Sequence, residues 1–174
     1  MITNNDLNSL YEWGKLNEFP LKSTPVSKDY ANKPIKYCWL KGGVDSPKTG
    51  SYVFHFNKRA VKGNTEIEKI LLNSDIIFAS IVLFDPDTYI QNHIDPNVYH
   101  GIEYKRVQIP LIIPNKKCYM IWKGEKIYWE EGIYQCFNVM HHYHEGGNLS
   151  DKPMKFLMLD VKISTEIETI SNIQ

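Results

Sequence analysis

The stretch "YKRVQIPLIIPNKKCYMIWKGEKIYWEEGIYQCFNV", Tyr104–Val139, reads as four strands divided by three turns. The strand candidates are YKRVQIPLII (104–113), CYMIW (118–122), KIYWE (126–130) and IYQCFNV (133–139). Each is rich in β-branched and aromatic side chains, which suit a pleated, half-buried surface. PNKK (114–117), KGEK (123–126) and EEG (130–132) supply the turn chemistry between them. Short strands at this spacing predict an all-β sandwich or barrel. Pro110 has no N–H to give to a ladder, so a bulge or a sheet edge is predicted at that point.

Outward from this stretch the pattern continues. SYVFHF (51–56), DIIFASIVLF (75–84) and KFLMLDVKI (155–163) read as further strands. GNTEIEKILLN (63–73) reads as a helix: Asn64 or Thr65 caps it, Glu66 and Glu68 sit at its positive end, and Ile67, Ile70 and Leu71 form one apolar stripe. NDLNSLYEWGKLN (5–17) is a second helix candidate, weakened by Gly14. These helices are expected to pack outside the strands.

A chain of 174 residues with 43% hydrophobic content and no internal repeat is expected to form a single domain, 1–174. Lys+Arg and Asp+Glu balance at 20 each, which argues against a dedicated nucleic-acid binder. No apolar run reaches the ~18–20 residues of a membrane span, and the polar opening MITNNDLNSLYEW lacks a signal-peptide pattern. A cytoplasmic chain without a membrane partner is therefore expected. Cys38, Cys118 and Cys136 are scattered and odd in number, which reads as structural thiols in a reducing compartment.

Two further stretches carry chemistry. YIQNHIDPNVYHG (89–101) holds His93 and Asp95 two residues apart, and on a strand such side chains share a face. VMHHYHEGGN (139–148) places three of the six histidines within four residues. A histidine from that distant cluster would complete two imidazoles and one carboxylate on one face of an octahedron, the arrangement of non-haem Fe(II) oxygenases. The plainer reading of His93 and Asp95 is a turn before Pro96, with the carboxylate accepting backbone N–H bonds. His55 and His100 read as ordinary strand and loop residues, and His141 as a surface residue or an outer neighbour of the site.

RVQIPLIIP (106–114), WEEG (129–132) and HEGGNLSDKPMKFLMLDV (144–161) together resemble the aspartyl/asparaginyl β-hydroxylase family, cupin-like oxygenases dependent on Fe(II) and 2-oxoglutarate. The resemblance covers about residues 76–163; residues 1–75 match nothing nameable. It implies a double-stranded β-helix, a cupin-like jelly roll, with one or two N-terminal helices outside. It implies His93, Asp95 and His144 as metal ligands, because Asn148, Ser150, Asp151, Pro153, Asp160 and Val161 keep the family's offsets from His144. The step from Phe137 to His144 is one residue longer than the family pattern, so a small bulge is expected before the ligand. His142, of the same strand parity, remains the alternative.

The resemblance also implies a 2-oxoglutarate site. Arg106 matches the family's strand arginine, and Gln108 stands where the family often has His. Strand alternation puts Arg106, Gln108 and Pro110 on one face and Val107, Ile109 and Leu111 on the other. The family's second arginine is here Met154, followed by Lys155. Lys155, turned inward by a bulge, and Ser80 are the remaining candidates for the cosubstrate's far end. The implied activity is hydroxylation of an amino acid or of a peptide or protein side chain. Met154 keeps two other readings open: a cupin-like binding module whose cosubstrate site has decayed, and a metal-dependent dioxygenase that does not use 2-oxoglutarate.

Overall fold

The computed structural model describes residues 2–23, 30–45, 52–96, 99 and 101–163. In chain order the elements are α1 (Asn4–Leu16), β1 (Lys22–Ser23), β2 (Lys36–Asp45), β3 (Tyr52–Phe56), α2 (Lys58–Val61), α3 (Thr65–Leu71), β4 (Ile76–Phe84), β5 (Thr88–His93), β6 (Tyr104–Ile112), β7 (Cys118–Trp122), β8 (Glu125–Tyr128), β9 (Gln135–Phe137), β10 (His144–Asn148) and β11 (Met154–Lys162). They form two antiparallel sheets. The larger runs β1-β2-β4-β11-β6-β9 with β3 also against β2, and the smaller runs β5-β10-β7-β8. This is the expected double-stranded β-helix, mainly β with few helices.

Alternation along β6 and β11 sets the layers. Val107, Ile109 and Leu111, with Leu157, Leu159 and Val161, face outward and are buried together with Leu7, Leu10 and Trp13 of α1. The opposite face looks into the barrel, where Phe156 and Met154 pack with Tyr104, Trp129 and Phe137. One period-2 pattern therefore builds two cores, one under the helices and one between the sheets.

Both predicted helices form, with their caps. Thr3 and Asp6 make a reciprocal capping box at the start of α1, and Asn64 accepts the Ile67 N–H at 3.1 Å at the start of α3. Gly14 is explained by packing: a Cβ there would lie 3.0 Å from the Leu111 methyls, so glycine lets α1 settle onto β6. A third, one-turn helix, α2, was not predicted.

Besides the two-residue β1, three strands were not legible as strands. In β2, Lys41 and the Gly42–Gly43 pair interrupt the apolar pattern; β5 is polar; β10 is the His-Glu-Gly-Gly-Asn run itself. The glycines of β10 have a steric cause. A Cβ on Gly146 would meet the Tyr119 carbonyl oxygen at 2.6 Å, and one on Gly147 the Thr88 carbonyl oxygen at 2.5 Å. This inner strand of the small sheet is held too closely by its neighbours to carry side chains there.

The bulge predicted at Pro110 is present. Between β6 and β11 the pairing jumps from Lys155↔Ile112 to Phe156↔Pro110, leaving Leu111 as the extra residue.

Candidate metal centre

The pairing of β5 with β10 sets His144 directly opposite His93, with ring centroids 4.3 Å apart. The chain leaves β5 after His93, and the Asp95 N–H donates to the Val139 carbonyl at 3.1 Å, which returns the carboxylate to the same point. Asp95 Oδ1 lies 3.0 Å from His93 Nε2 and 3.6 Å from His144 Nε2. One potential ligand atom from each of the three residues lies within 4.8 Å of the others.

Both imidazoles are oriented by the backbone. His93 Nδ1 is 2.7 Å from the Gln91 carbonyl and His144 Nδ1 is 3.2 Å from the His142 carbonyl. A carbonyl only accepts, so each Nδ1 carries a hydrogen and each Nε2 points inward, where a neutral ring would offer its lone pair to a metal. This is the outer hydrogen bonding that metal-binding histidines use, and the donor set fits a divalent transition metal. The His93 ring also stacks on Tyr30, 4.9 Å between centroids and 8° from parallel.

Electrostatics favour an ionised carboxylate between the rings. Burial would raise the Asp95 carboxyl, but the Arg106 guanidinium, the His93 hydrogen bond and the His144 ring outweigh it and hold it at about 2. Burial works against a charged His93, yet its bonds to Asp95 and the Gln91 carbonyl raise it; burial lowers His144.

Arg106 is more constrained than its position in sequence implied. Its Nε donates to Asp160 Oδ1 at 2.8 Å and its second amino nitrogen to Asp160 Oδ2 at 3.0 Å, while the first donates to Asp95 Oδ2. Asp160 is fully buried and also accepts the Tyr99 hydroxyl at 2.6 Å. Burial pushes Tyr99 far up, and Asp160 adds to that. A chain of Tyr99, Asp160 and Arg106 therefore fixes the carboxylate that faces the two histidines.

These groups open onto a cavity of about 320 Å³ that includes His93, Asp95, Arg106, Gln108 and His144 in its wall. Gln108 is where alternation put it, and its Oε1 is buried without a hydrogen-bond partner among the described residues. Ser80 faces the barrel but is not in the cavity wall: its hydroxyl is spent on the Cys38 and Ile81 carbonyls, at 3.2 and 3.1 Å. Lys155 does not turn inward. Its Nζ lies 5.9 Å from the centre of the Phe19 ring, on the helix side, and burial lowers its pKa. The expected bulge exists, but β11 keeps unbroken register with β4 from Met154 to Asp160, so the extra residue belongs to β6. Lys155 keeps its alternation, and Met154 takes the inward place.

The remaining histidines separate cleanly. His142 packs edge-on to Trp122 at 5.3 Å and has no part in the triad; His141 and His55 are exposed. His100 lies outside the described residues. The irregularity near the candidate ligand falls between His144 and Gly146, after His144 and not before it. Asn148 is structural: its amide donates to the Phe84, Asp85 and Lys152 carbonyls at 3.1, 3.3 and 2.7 Å, latching the end of β10. The partnership of Asp160 with Arg106 had one sequence signal, a lone acid at an inward position of the apolar run FLMLDV.

A double-stranded β-helix with two histidines and an aspartate in the wall of its cavity defines a cupin-type fold with a candidate metal centre. The family follows from the sequence: residues 55–163 match Aspartyl/Asparaginyl beta-hydroxylase, and the chain belongs to that family. Among solved structures it is similar to an oxidoreductase of the 2OG-Fe(II) oxygenase family from Burkholderia pseudomallei (TM-score 0.55, 11% identity, 86% of this chain and 76% of that one). It is also similar to a Pseudomonas putida prolyl-4-hydroxylase (TM-score 0.52, 11% identity, 91% and 86%). A predicted oxalate decarboxylase from Thermotoga maritima shares the fold as well (TM-score 0.51, 8% identity, 84% and 95%). At such identities these likenesses show the fold alone. No curated protein sequence matches the chain. Among the described residues no helix is long and apolar enough to cross a membrane.

Proposed function

We propose that this protein is an Fe(II)-dependent oxygenase that hydroxylates a C–H bond of an amino acid or of a peptide or protein side chain, with a 2-oxo acid as co-reductant. The observation that carries the reading is the convergence of His93, Asp95 and His144, both imidazoles locked with Nε2 inward. Family membership supports the same chemistry. In the net reaction, a 2-oxo acid, dioxygen and the substrate C–H yield the acid shortened by one carbon, carbon dioxide and the alcohol.

Each residue has a defined role. His93, Asp95 and His144 would hold the iron, which supplies the redox activation of dioxygen that side chains lack. Three protein ligands leave positions open for small ligands. Arg106 holds Asp95 in place through a rigid fork that is itself gripped by Asp160. Gln108 offers an unpaired amide oxygen to a donor in the cavity. Tyr30 and the Trp129–Phe156 pair, whose rings are 4.9 Å apart, line the cavity.

2-Oxoglutarate fits this cavity at one end only. Arg106 has two N–H groups left for a carboxylate beside the metal. The far carboxylate meets no cation among the described residues, since Lys155 faces the helices and Ser80 is spent on the backbone. This favours a second reading, a metal-dependent dioxygenase that uses no 2-oxo acid.

Oxygen uptake by the Fe(II)-loaded protein, measured with a panel of 2-oxo acids, amino acids and peptides, tests the proposal. A product heavier by one oxygen atom is expected with at least one pair. Uptake that needs iron but no 2-oxo acid would transfer the assignment to the second reading.

A further inference from the structure

The site's charge balance and the composition of its walls limit which organic anion it accepts beside the metal. The Arg106–Asp160 ion pair is neutral as a unit, and its guanidinium already donates to both carboxylates. Asp95 adds one negative charge and a divalent ion two positive, so the centre is left with one net positive charge. A single carboxylate neutralises it. A second carboxylate enclosed in the same cavity needs a cation of its own, and burying it unpaired is strongly unfavourable.

The cavity wall on the two central strands supplies none. Phe78, Val82 and Phe84 of β4 and Met154, Phe156 and Met158 of β11 present only carbon and sulfur to the cavity. Their registers, Val82↔Phe156 and Phe84↔Met154, set four of these side chains side by side as one apolar patch. Arg106 is the sole Lys or Arg among the described residues of the cavity wall.

We infer that the 2-oxo acid taken by this site is a monocarboxylate with an apolar tail, not the dicarboxylate 2-oxoglutarate. The oxo-carboxylate head lies at the metal, beside the two free N–H groups of Arg106, and the tail lies against Met154, Phe156 and Phe84. The inference rests on the oxygenase reading above and names the cosubstrate class for that site.

The test uses the full chain loaded with Co(II), which binds the same donor set without turning over. Isothermal titration with 4-methyl-2-oxopentanoate, 2-oxoglutarate and 4-methylpentanoate reads affinity directly. The branched 2-oxo acid is expected to bind at least tenfold tighter than 2-oxoglutarate, and also tighter than 4-methylpentanoate, which lacks the oxo group. Met154→Arg places a cation at the end wall and is expected to reverse the preference by at least tenfold. The decisive comparison uses the unaltered protein, so it holds even where the Met154→Arg chain does not fold. Tighter binding of 2-oxoglutarate to Co(II)-loaded protein overturns the inference and leaves the oxygenase reading standing. Co(II) binding with no affinity for either 2-oxo acid overturns the inference and favours the dioxygenase that uses none. Failure to bind Co(II) removes both.

Discussion

Arg106 and Asp160 face each other across the β6–β11 pairing and are joined by two hydrogen bonds, of 2.8 and 3.0 Å. The carboxylate is fully buried, and the same guanidinium reaches Asp95. Removing one partner leaves a buried charge without its counterion. Asp160→Asn is expected to lower stability by about 3–5 kcal/mol, read by urea denaturation. It should also weaken Co(II) binding ~10–100-fold, since Asp95 loses its oriented neighbour. Unchanged Co(II) affinity would show that Asp95 needs no such support.

The distal ligand is decided by His144 against His142. His144→Ala is expected to reduce Co(II) affinity by more than the ~10–100-fold of losing an outer partner. His142→Ala, which removes a ring packed on Trp122, should leave the affinity within about twofold, the range of a surface change. The reverse ranking by titration would sink the assignment.

Asp95 gives the metal-free protein a defined acid response. Its folded carboxyl is held at about 2, below its ordinary value of 3.8. Its contribution to stability is therefore complete above the unfolded value and is lost as pH falls from about 4 toward 2. The loss should be about 2 kcal/mol, at 1.36 kcal/mol per pKa unit. Denaturation of wild type and Asp95→Asn over this pH range should show the difference between them changing by that amount.

Gly147 sits where a Cβ would lie 2.5 Å from a backbone oxygen. A backbone atom cannot swing away as a side chain does, so Gly147→Ala should part β10 from β5. The expected loss is about 2–3 kcal/mol, at the upper part of the overpacking range. Because His93 and His144 face each other across that pairing, Co(II) affinity should fall with it.

Lys155 lies on the helix side of β11, 5.9 Å from the Phe19 ring centre. Lys155→Met is expected to leave anion binding by Co(II)-loaded protein within about twofold, since it carries no contact to the site. A tenfold loss would require Lys155 to enter the cavity in solution.

What the sequence by itself determined was local. Alternation in RVQIPLII and KFLMLDV settled which side chains face the barrel and which face the helices, because side-chain direction along a strand has period two. A cap and an apolar stripe settled α3, while α1 was legible only as a candidate weakened by Gly14. The HxD pair and the histidine at 144 were legible as a candidate ligand set through their resemblance to a family, and the structure brings the three together. What only the tertiary structure decided was pairing between distant strands. Which strand absorbs the extra residue at Pro110 depends on how β11 is gripped by β4, and that kept Lys155 outward. Whether Arg106 is free or committed depends on Asp160, fifty-four residues away, lying opposite it. The glycines of β10 carry no strand signal of their own, and their need appears only when β5 and β7 close on both sides of them. These relations are set by strand register and backbone separation across the barrel, which no local period encodes.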